Sequence, residues 1–162
     1  MVVLSLFISC QKEMQLSSVD PVNWKKRTVG YALNDSLTRG ATYLSVYSQI
    51  YSLTEEGTHD LTVTVSMRNM NAKDSVFIDN AEYFDTHGES IRVYFDRTIY
   101  IAPMETVEIV IDERDMSGGT GANFMFNWRM NPESCEPFFE AVMIATSGQT
   151  GLAFTTQGKR LY

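Results

Sequence analysis

Cysteine and histidine are scarce in this chain, with two of each among 162 residues. Two cysteines cannot build the disulfide framework of a small secreted scaffold, and a chain of this length can bury a core without one. The histidines, His59 and His87, each lie in a predicted turn and lack further ligands at metal-binding spacing. We therefore predict neither a metal site of that kind nor a cofactor.

Basic residues are also few: 13 Lys and Arg stand against 20 Asp and Glu, which gives a net charge of −7. Nucleic-acid-binding proteins need a basic surface that displaces counterions from phosphate. The largest basic cluster, Lys25-Lys26-Arg27, stands alone and is interpreted as a solvated patch. The sequence therefore argues against a DNA or RNA partner.

The chain lacks the common catalytic motifs. It contains no G-x-S-x-G nucleophile elbow, no P-loop and no H-E-x-x-H zinc motif. A hydrolytic triad would have to recruit one of the turn histidines and a serine that no motif marks. We predict no catalytic residue and a function other than catalysis.

No apolar run is long enough to cross a bilayer, which takes about 20 residues. The segment before Cys10, MVVLSLFIS, instead fits the apolar region of a signal peptide. Ser9 followed by Cys10 resembles the lipobox of bacterial lipoproteins, with Phe7 where leucine is usual and no Lys or Arg before the run. In that family a signal peptidase cleaves before a cysteine that carries diacylglycerol. The resemblance implies a lipid anchor on Cys10.

We accordingly divide the chain into a signal peptide (1–9), a lipidated tether with an irregular lead-in (10–39) and a folded domain (40–162). Two or more acyl chains give stable anchoring, so the protein is expected in the bacterial cell envelope, attached to a membrane and facing the periplasm or the cell surface. Two alternatives stay open: an amino-terminal strand that buries Cys10, and a Cys10–Cys135 disulfide. Acylation of Cys10 would leave Cys135 as an unpaired thiol.

From Gly40 onward, apolar and polar residues alternate with period two, which predicts strands with one buried face. Turn-forming residues separate these segments, including Glu56-Gly57 and Gln157-Gly158, and no stretch favours a helix. Short strands between such turns predict an antiparallel β-sandwich of about 7–9 strands. The predicted strands are 43–51, 61–68, 75–84, 90–95, 99–101, 106–112, 122–129, 138–146 and 152–156.

The same alternation predicts which side chains form the core of the sandwich. On each strand, apolar positions two residues apart are assigned to the inner face. The predicted core comprises Leu44, Val46, Leu61, Val63, Val65, Val107, Ile109, Phe124, Phe126, Trp128, Val142 and Ile144.

The loop 112–121 is unusual because carboxylates are followed by glycines. Asp112 and Asp115 could supply oxygen ligands to Ca²⁺, although the spacing differs from that of an EF-hand. The loop could instead be a tight connection in which Gly118, Gly119 and Gly121 adopt positive φ, or it could contact a partner. These five residues form the first candidate site.

Tyr43, Tyr47 and Tyr51 form the second candidate site. If Leu44, Val46 and their even-numbered neighbours fill the core, the three tyrosines line the opposite face of one strand. Tyrosine combines an apolar body with a polar tip, which suits a recognition surface. The alternative is that the lead-in covers this strand, with Trp24 or Tyr31 packed against it.

Several sequence blocks resemble a bacterial family known as domain of unknown function 3124, which occurs in predicted lipoproteins and exported proteins. The resemblance extends over roughly 40–160 and implies export, but it implies no activity, cofactor or site residue. The order of Asn69, a turn at Gly88 and Pro103 also resembles immunoglobulin-like domains of bacterial envelope proteins. The blocks are TYLSVYSQIYS (42–52), DLTVTVSMRN (60–69), PMETVEIVIDE (103–113), GGTGANF (118–124) and EPFFEAVMIATSGQTGLAFTTQGKR (136–160).

Together these features predict an immunoglobulin-like β-sandwich that is tethered to a membrane and binds a protein or glycan without catalysing a reaction. The alternative function is a Ca²⁺-dependent or enzymatic domain that works through the loop 112–121.

Overall fold

The computed structural model describes residues 24–146 and 151–162, and within them the chain forms one short helix and twelve strands. A 3₁₀ turn, Met116–Gly118, lies between the eighth and ninth strands. The helix α1 spans Trp24–Arg27, and the strands are β1 Thr38–Ser45, β2 Gln49–Ser52, β3 Thr54–Asp60, β4 Thr62–Arg68, β5 Val76–Phe84, β6 Ser90–Val93, β7 Ile99–Ile101, β8 Thr106–Ile111, β9 Asn123–Met130, β10 Phe138–Ala145, β11 Leu152–Gln157 and β12 Lys159–Arg160.

Two antiparallel sheets enclose the core. Sheet 1 has the order β12-β1-β9-β5-β6, with β7 also paired to β5, and sheet 2 has the order β11-β10-β4-β8. Strands β2 and β3 form a separate hairpin. The predicted all-β, antiparallel sandwich is confirmed. The described residues contain more strands than predicted because the predicted strand 43–51 is divided between β1 and β2, and because β3 and β12 were not predicted.

Alternating burial builds the core, as strand β9 shows: every second residue from Phe124 to Met130 is buried, and the residues between them are partly exposed. The Phe126 ring of sheet 1 stacks on the Phe139 ring of sheet 2, with ring centroids 4.3 Å apart. All predicted core residues are buried except Val142 and Ile144.

The predicted orientation of β10 is wrong. Ile144 is 39% exposed and Val142 is partly exposed, whereas the buried residues of β10 are Phe139, Ala141, Met143 and Ala145. Apart from Glu140, both faces of this strand are apolar, so the alternation does not distinguish the inner face from the outer one. An assignment that is wrong by one residue then turns every side chain to the opposite face.

One predicted turn is also wrong. Glu56-Gly57 lies inside β3, and the hairpin instead reverses at Leu53, between β2 and β3. The predicted break at Gly158 is present, and it joins β11 of sheet 2 to β12 of sheet 1. A Cβ atom on Gly158 would lie 2.6 Å from Thr42 Cγ2, so this crossing between the sheets requires glycine.

The lead-in packs along sheet 1. The Trp24 ring lies 5.0 Å from the Phe95 ring, and the Val29 amide donates to the Thr98 carbonyl at 2.9 Å. The Arg27 guanidinium donates to both carboxylate oxygens of Glu105 at 2.9 and 2.7 Å. Trp24 therefore packs against Phe95 rather than against the tyrosines, and the single helical turn α1 is an element that the sequence did not predict.

The predicted signal peptide and the lipidated Cys10 lie outside the described residues. Within the part of the chain that is described, no helix has the length and apolar character needed to span a membrane.

Candidate functional site at the hairpin end

The β2–β3 hairpin and the loop 112–121 meet at one end of the sandwich, which we call the hairpin end. The amides of Ser48 and Gln49, where the chain enters the hairpin, donate to the Gly119 carbonyl at 3.2 and 3.1 Å. The structure thus joins the acidic, glycine-rich loop to the segment that carries the tyrosines. Sequence reasoning treated the two as separate candidates.

The two aspartates of the loop bind different arginines. Asp112 accepts hydrogen bonds from Arg114, with Nε and Oδ1 2.9 Å apart, and these bonds lower the pKa of Asp112 to about 2. Asp115 is 6% exposed, and both Nη atoms of Arg92 donate to its Oδ2 at 3.1 Å. Among the described residues, no group of three or more His, Cys, Asp or Glu side chains is arranged to hold a metal ion.

Asp115 also begins the 3₁₀ turn. Its Oδ1 accepts hydrogen bonds from the Ser117 amide at 3.4 Å and from the Ser117 hydroxyl at 2.5 Å. The Arg92 guanidinium lies over the Tyr94 ring, 5.7 Å from its centroid. The buried carboxylate of Asp115 therefore fixes the loop to β6 and caps the amino terminus of the turn by accepting the Ser117 amide.

The three glycines of the loop have different roles, and the prediction that all of them adopt positive φ is wrong. Only Gly119 has positive φ among the three, at 68°. A Cβ atom on Gly118 would lie 1.8 Å from the Tyr83 hydroxyl, and one on Gly121 would lie 3.3 Å from Thr86 Cγ2. Gly118 is therefore required by the close approach of a buried side chain rather than by backbone conformation.

The three tyrosines do not share one strand, because β1 ends at Ser45 and β2 begins at Gln49. Tyr43 lies on β1, beside Lys159 of β12 and Met125 of β9. Tyr47 is partly buried between the strands, with its ring 5.8 Å from the Phe154 ring. Tyr51 is 61% exposed on the hairpin.

The family comparison covers most of this structure. A family model described as "Protein of unknown function (DUF3124)" matches residues 39–161. The chain belongs to the DUF3124 family. The predicted family membership is thereby confirmed, and the match includes the hairpin, the loop and both sheets.

Other comparisons of this DUF3124 domain are weaker. The crystal structure of Thermotoga maritima 1070 is similar with a TM-score of 0.46 and 9% identity, over 78% of this chain and 96% of that chain. A similarity of this size carries no information about function. No curated protein matches the chain.

Sequence reasoning missed the side chains that hold the hairpin end of this DUF3124 domain together. The Ser48 and Tyr83 hydroxyls form a buried hydrogen bond of 2.8 Å, and burial raises the pKa of Tyr83 to about 12. The Thr86 hydroxyl donates to the Gly118 carbonyl at 3.0 Å and accepts from the Gly121 amide at 2.9 Å. These partners are distant in sequence, so no local pattern pairs them.

The most exposed apolar side chain at this end was also missed. Leu53 is fully exposed, at 104%, and has φ of 63° at the tip of the hairpin. A hydrogen bond of 2.7 Å from Gln49 Nε2 to Asp60 Oδ1 connects the two strands at the base of the hairpin. No glycine, asparagine or proline marks the tip, so the sequence contains no turn signal there.

Proposed function

We propose that this DUF3124 domain is a non-enzymatic interaction module, attached to an envelope membrane through a lipid on Cys10, that binds a protein through the tip of its β2–β3 hairpin. The observation that supports this function is the conformation of Leu53, which is fully exposed at positive φ. Tyr51, 61% exposed on the same hairpin, adds a second apolar contact surface.

The backbone conformation of Leu53 is energetically unfavourable, which suggests that its exposed side chain has a function. A non-glycine residue in the left-handed region costs roughly 1–2 kcal/mol. Glycine or asparagine would form this turn at lower cost and without exposing an isobutyl group to water. A strained backbone that presents a side chain supports a functional role for that side chain.

The base of the hairpin is held firmly enough to present Leu53 in a fixed position. Gly119 accepts hydrogen bonds from the chain entering β2, and Gly118 packs against the buried Ser48–Tyr83 pair. A surface that is ordered before binding loses less conformational entropy when the complex forms. The network at the hairpin end therefore supports recognition rather than catalysis.

The charge of the hairpin favours one class of partner. Its tip carries Glu55 and Glu56, and no Lys or Arg lies between Gln49 and Asp60. Anionic lipid headgroups would repel such a tip, whereas a protein pocket that is apolar inside and basic at its rim would complement it. We therefore infer a protein partner with a basic rim rather than the lipid surface itself.

The position of the lead-in is compatible with a membrane tether. Arg27 binds Glu105, which directly precedes β8, and the loop 112–121 directly follows β8. A strand of six residues spans about 20 Å, so Arg27 is fixed far from the hairpin end. Trp24 packs instead against Phe95, whose neighbour Tyr94 accepts a hydrogen bond from Arg92 of β6. Neither contact covers the tip of the hairpin, where Leu53 is fully exposed.

Site-specific photo-cross-linking in the full-length chain tests the hairpin. With a benzophenone amino acid at position 55, we expect a cross-linked protein partner that is lost in Leu53→Asn and in Tyr51→Ser. Tyr31→Ser is the matched control, because Tyr31 is 69% exposed on the lead-in, and it should keep the cross-link.

The thermal unfolding midpoint separates loss of binding from loss of folding. Leu53→Asn should leave the midpoint unchanged or raise it, because asparagine tolerates the left-handed region better than leucine. A cross-link that persists in both hairpin variants would refute the proposed surface, as would the absence of any partner cross-linked from position 55.

A further inference from the structure

The opposite end of the sandwich, which we call the asparagine end, is held together by two buried asparagines. Asn69 is 3% exposed, and its Nδ2 donates to the carbonyls of Asp74, Ile101 and Ala102 at 2.8, 3.0 and 3.0 Å. These bonds attach the loop that follows β4 to the turn that follows β7.

Asn71, which is 9% exposed, adds a third loop to this end. Its Oδ1 accepts from the Cys135 amide at 2.7 Å, and its Nδ2 donates to the Cys135 carbonyl at 2.9 Å. Its own backbone carbonyl accepts from the Met104 amide at 3.0 Å. Asn71 thus fixes the positions of Met104 and Cys135 relative to its chain neighbour Met70.

The three residues placed around Asn71 all carry sulfur, and all are exposed to solvent. Met70 is 52% exposed, Met104 is 70% exposed, and Cys135 is an exposed free thiol. Hydrogen bonds of these lengths place the Cα atoms of all three within about 7 Å of that of Asn71. Methionine has three rotatable bonds beyond its backbone, so its sulfur can adjust to a shared ligand.

Met104 occupies a position where another residue would be less strained. It has φ of 59° and follows Pro103 in a turn closed by a hydrogen bond of 3.1 Å from the Glu105 amide to the Ala102 carbonyl. The third residue of such a turn is usually glycine or asparagine. Methionine at this site exposes a thioether side chain, and its backbone amide is bonded to Asn71.

We propose that Met70, Met104 and Cys135 bind a soft monovalent metal ion, with Cu(I) as the species expected in a cell. One thiolate and two thioethers select Cu(I), whereas Ca²⁺ and Mg²⁺ take oxygen ligands. The ion stays Cu(I) on binding, and the Cys135 thiol releases its proton to water. This site does not depend on the hairpin function.

Competition with bathocuproine disulfonate, under anaerobic conditions with ascorbate, tests the site. The full-length chain should carry Cys10→Ser, so that Cys135 is the only remaining thiol. We expect one Cu(I) per chain, and binding that is lost in Cys135→Ser. Met104→Leu and Met70→Leu should each weaken Cu(I) binding at least tenfold, since even the loss of an outer-shell partner costs roughly 10–100-fold.

Met116→Leu provides the matched control. Met116 is 52% exposed, as Met70 is, but it lies at the hairpin end, so its replacement should leave Cu(I) affinity unchanged. Circular dichroism of each variant checks that folding is intact, and leucine is close to methionine in volume. Equal Cu(I) affinity in wild type and Met104→Leu would show that a single thiol binds the metal and would overturn the proposal. Failure of the chain to compete with the chelator would do the same.

Discussion

At the residue scale, Gly118 shows how one missing side chain controls the packing of the hairpin end. A Cβ atom at this position would lie 1.8 Å from the Tyr83 hydroxyl and 2.7 Å from Ser48 Oγ. We expect Gly118→Ala to break the Ser48–Tyr83 hydrogen bond and to lower the free energy of unfolding by about 1–3 kcal/mol, the usual cost of overpacking. Urea denaturation measures this change.

Gly30→Ala is the control for that substitution, since nothing lies within 4 Å of a Cβ at Gly30. Its effect on stability should be small. The double variant Gly118→Ala with Tyr83→Phe should recover part of the loss, because phenylalanine lacks the hydroxyl that clashes. If Gly118→Ala were as stable as wild type, the close approach described for Gly118 would be incorrect.

The burial of a residue was predictable from the sequence where apolar and polar residues alternate along its strand. Contacts between residues that are distant in sequence were not predictable. Phe124 and Phe126 were identified as core because polar neighbours mark the outer face of β9. Ile144 was assigned to the wrong face because both faces of β10 are apolar apart from Glu140. The pairing of Asp115 with Arg92 joins residues 23 positions apart, and local sequence patterns do not reveal such a contact.

At the element scale, the loop 112–121 is held by ion pairs within the protein. Asp112 binds Arg114, and Asp115 binds Arg92. A cation would have to displace both arginines to collect these oxygens, so we expect no shift in the thermal unfolding midpoint between millimolar Ca²⁺ and EDTA. Differential scanning fluorimetry makes the comparison. A midpoint raised by Ca²⁺ in wild type but not in Asp112→Asn would establish the loop as a calcium site.

The lead-in is expected to respond to pH through Glu105. Hydrogen bonds from Arg27, and from the Ala102 amide, hold the pKa of Glu105 below its ordinary value of 4.5. A carboxylate with a lowered pKa in the folded state stabilises that state above the unfolded pKa, and this contribution is lost as the pH falls through the folded pKa. Acidification below about pH 4.5 should therefore weaken the attachment of α1 to the domain.

Tryptophan fluorescence measures this release, because Trp24 is 8% exposed against Phe95 and becomes solvated when α1 detaches. Glu105→Gln should show the solvated signal already at neutral pH. Glu140→Gln is the control, because Glu140 lies on β10 and pairs with Arg68, at 3.5 Å, rather than with the lead-in. A wild-type emission spectrum that did not change through the acid range would contradict the prediction.

The sequence predicted most strands but not the hairpin, for a physical reason. Strands such as β4 and β9 are bounded by turn-forming residues and have one apolar face, so the local sequence is enough to predict them. The hairpin is mostly polar and reverses at Leu53, a residue with no turn preference. Its conformation depends on the loop 112–121, to which Gly119 connects it, and therefore on tertiary contacts.

At the scale of the whole molecule, the sandwich separates two surfaces of different chemistry. The hairpin end presents Leu53 and Tyr51 for contact with a protein, and the asparagine end presents three sulfur-bearing side chains. The lead-in contacts the domain at two places: Arg27 binds Glu105 at the asparagine end, and Trp24 packs against Phe95, whose neighbour Tyr94 accepts a hydrogen bond from Arg92 of β6. Neither contact covers Leu53 or Met104, which both remain exposed.

The predicted anchor can be tested by its effect on the location of the chain. Stable anchoring takes two or more acyl chains, each contributing about 0.8 kcal/mol per buried CH₂. Metabolic labelling with an alkyne fatty acid should therefore mark the wild type and place it in the membrane fraction. Cys10→Ala should be unlabelled and soluble, and a labelled Cys10→Ala would refute lipidation at this residue.

Cys135 supplies an independent test of the same prediction. It is exposed and forms no disulfide within the described residues, so acylation of Cys10 should leave it reactive towards a thiol reagent without prior reduction. A Cys10–Cys135 disulfide would instead block that reaction until a reductant was added. Maleimide labelling of the chain isolated from membranes, with Cys135→Ser as the blank, therefore distinguishes the lipid anchor from the disulfide. Labelling that required reduction, in a chain that migrates as a monomer without reductant, would favour the Cys10–Cys135 disulfide and would exclude a lipid on Cys10, because one sulfur cannot carry both bonds.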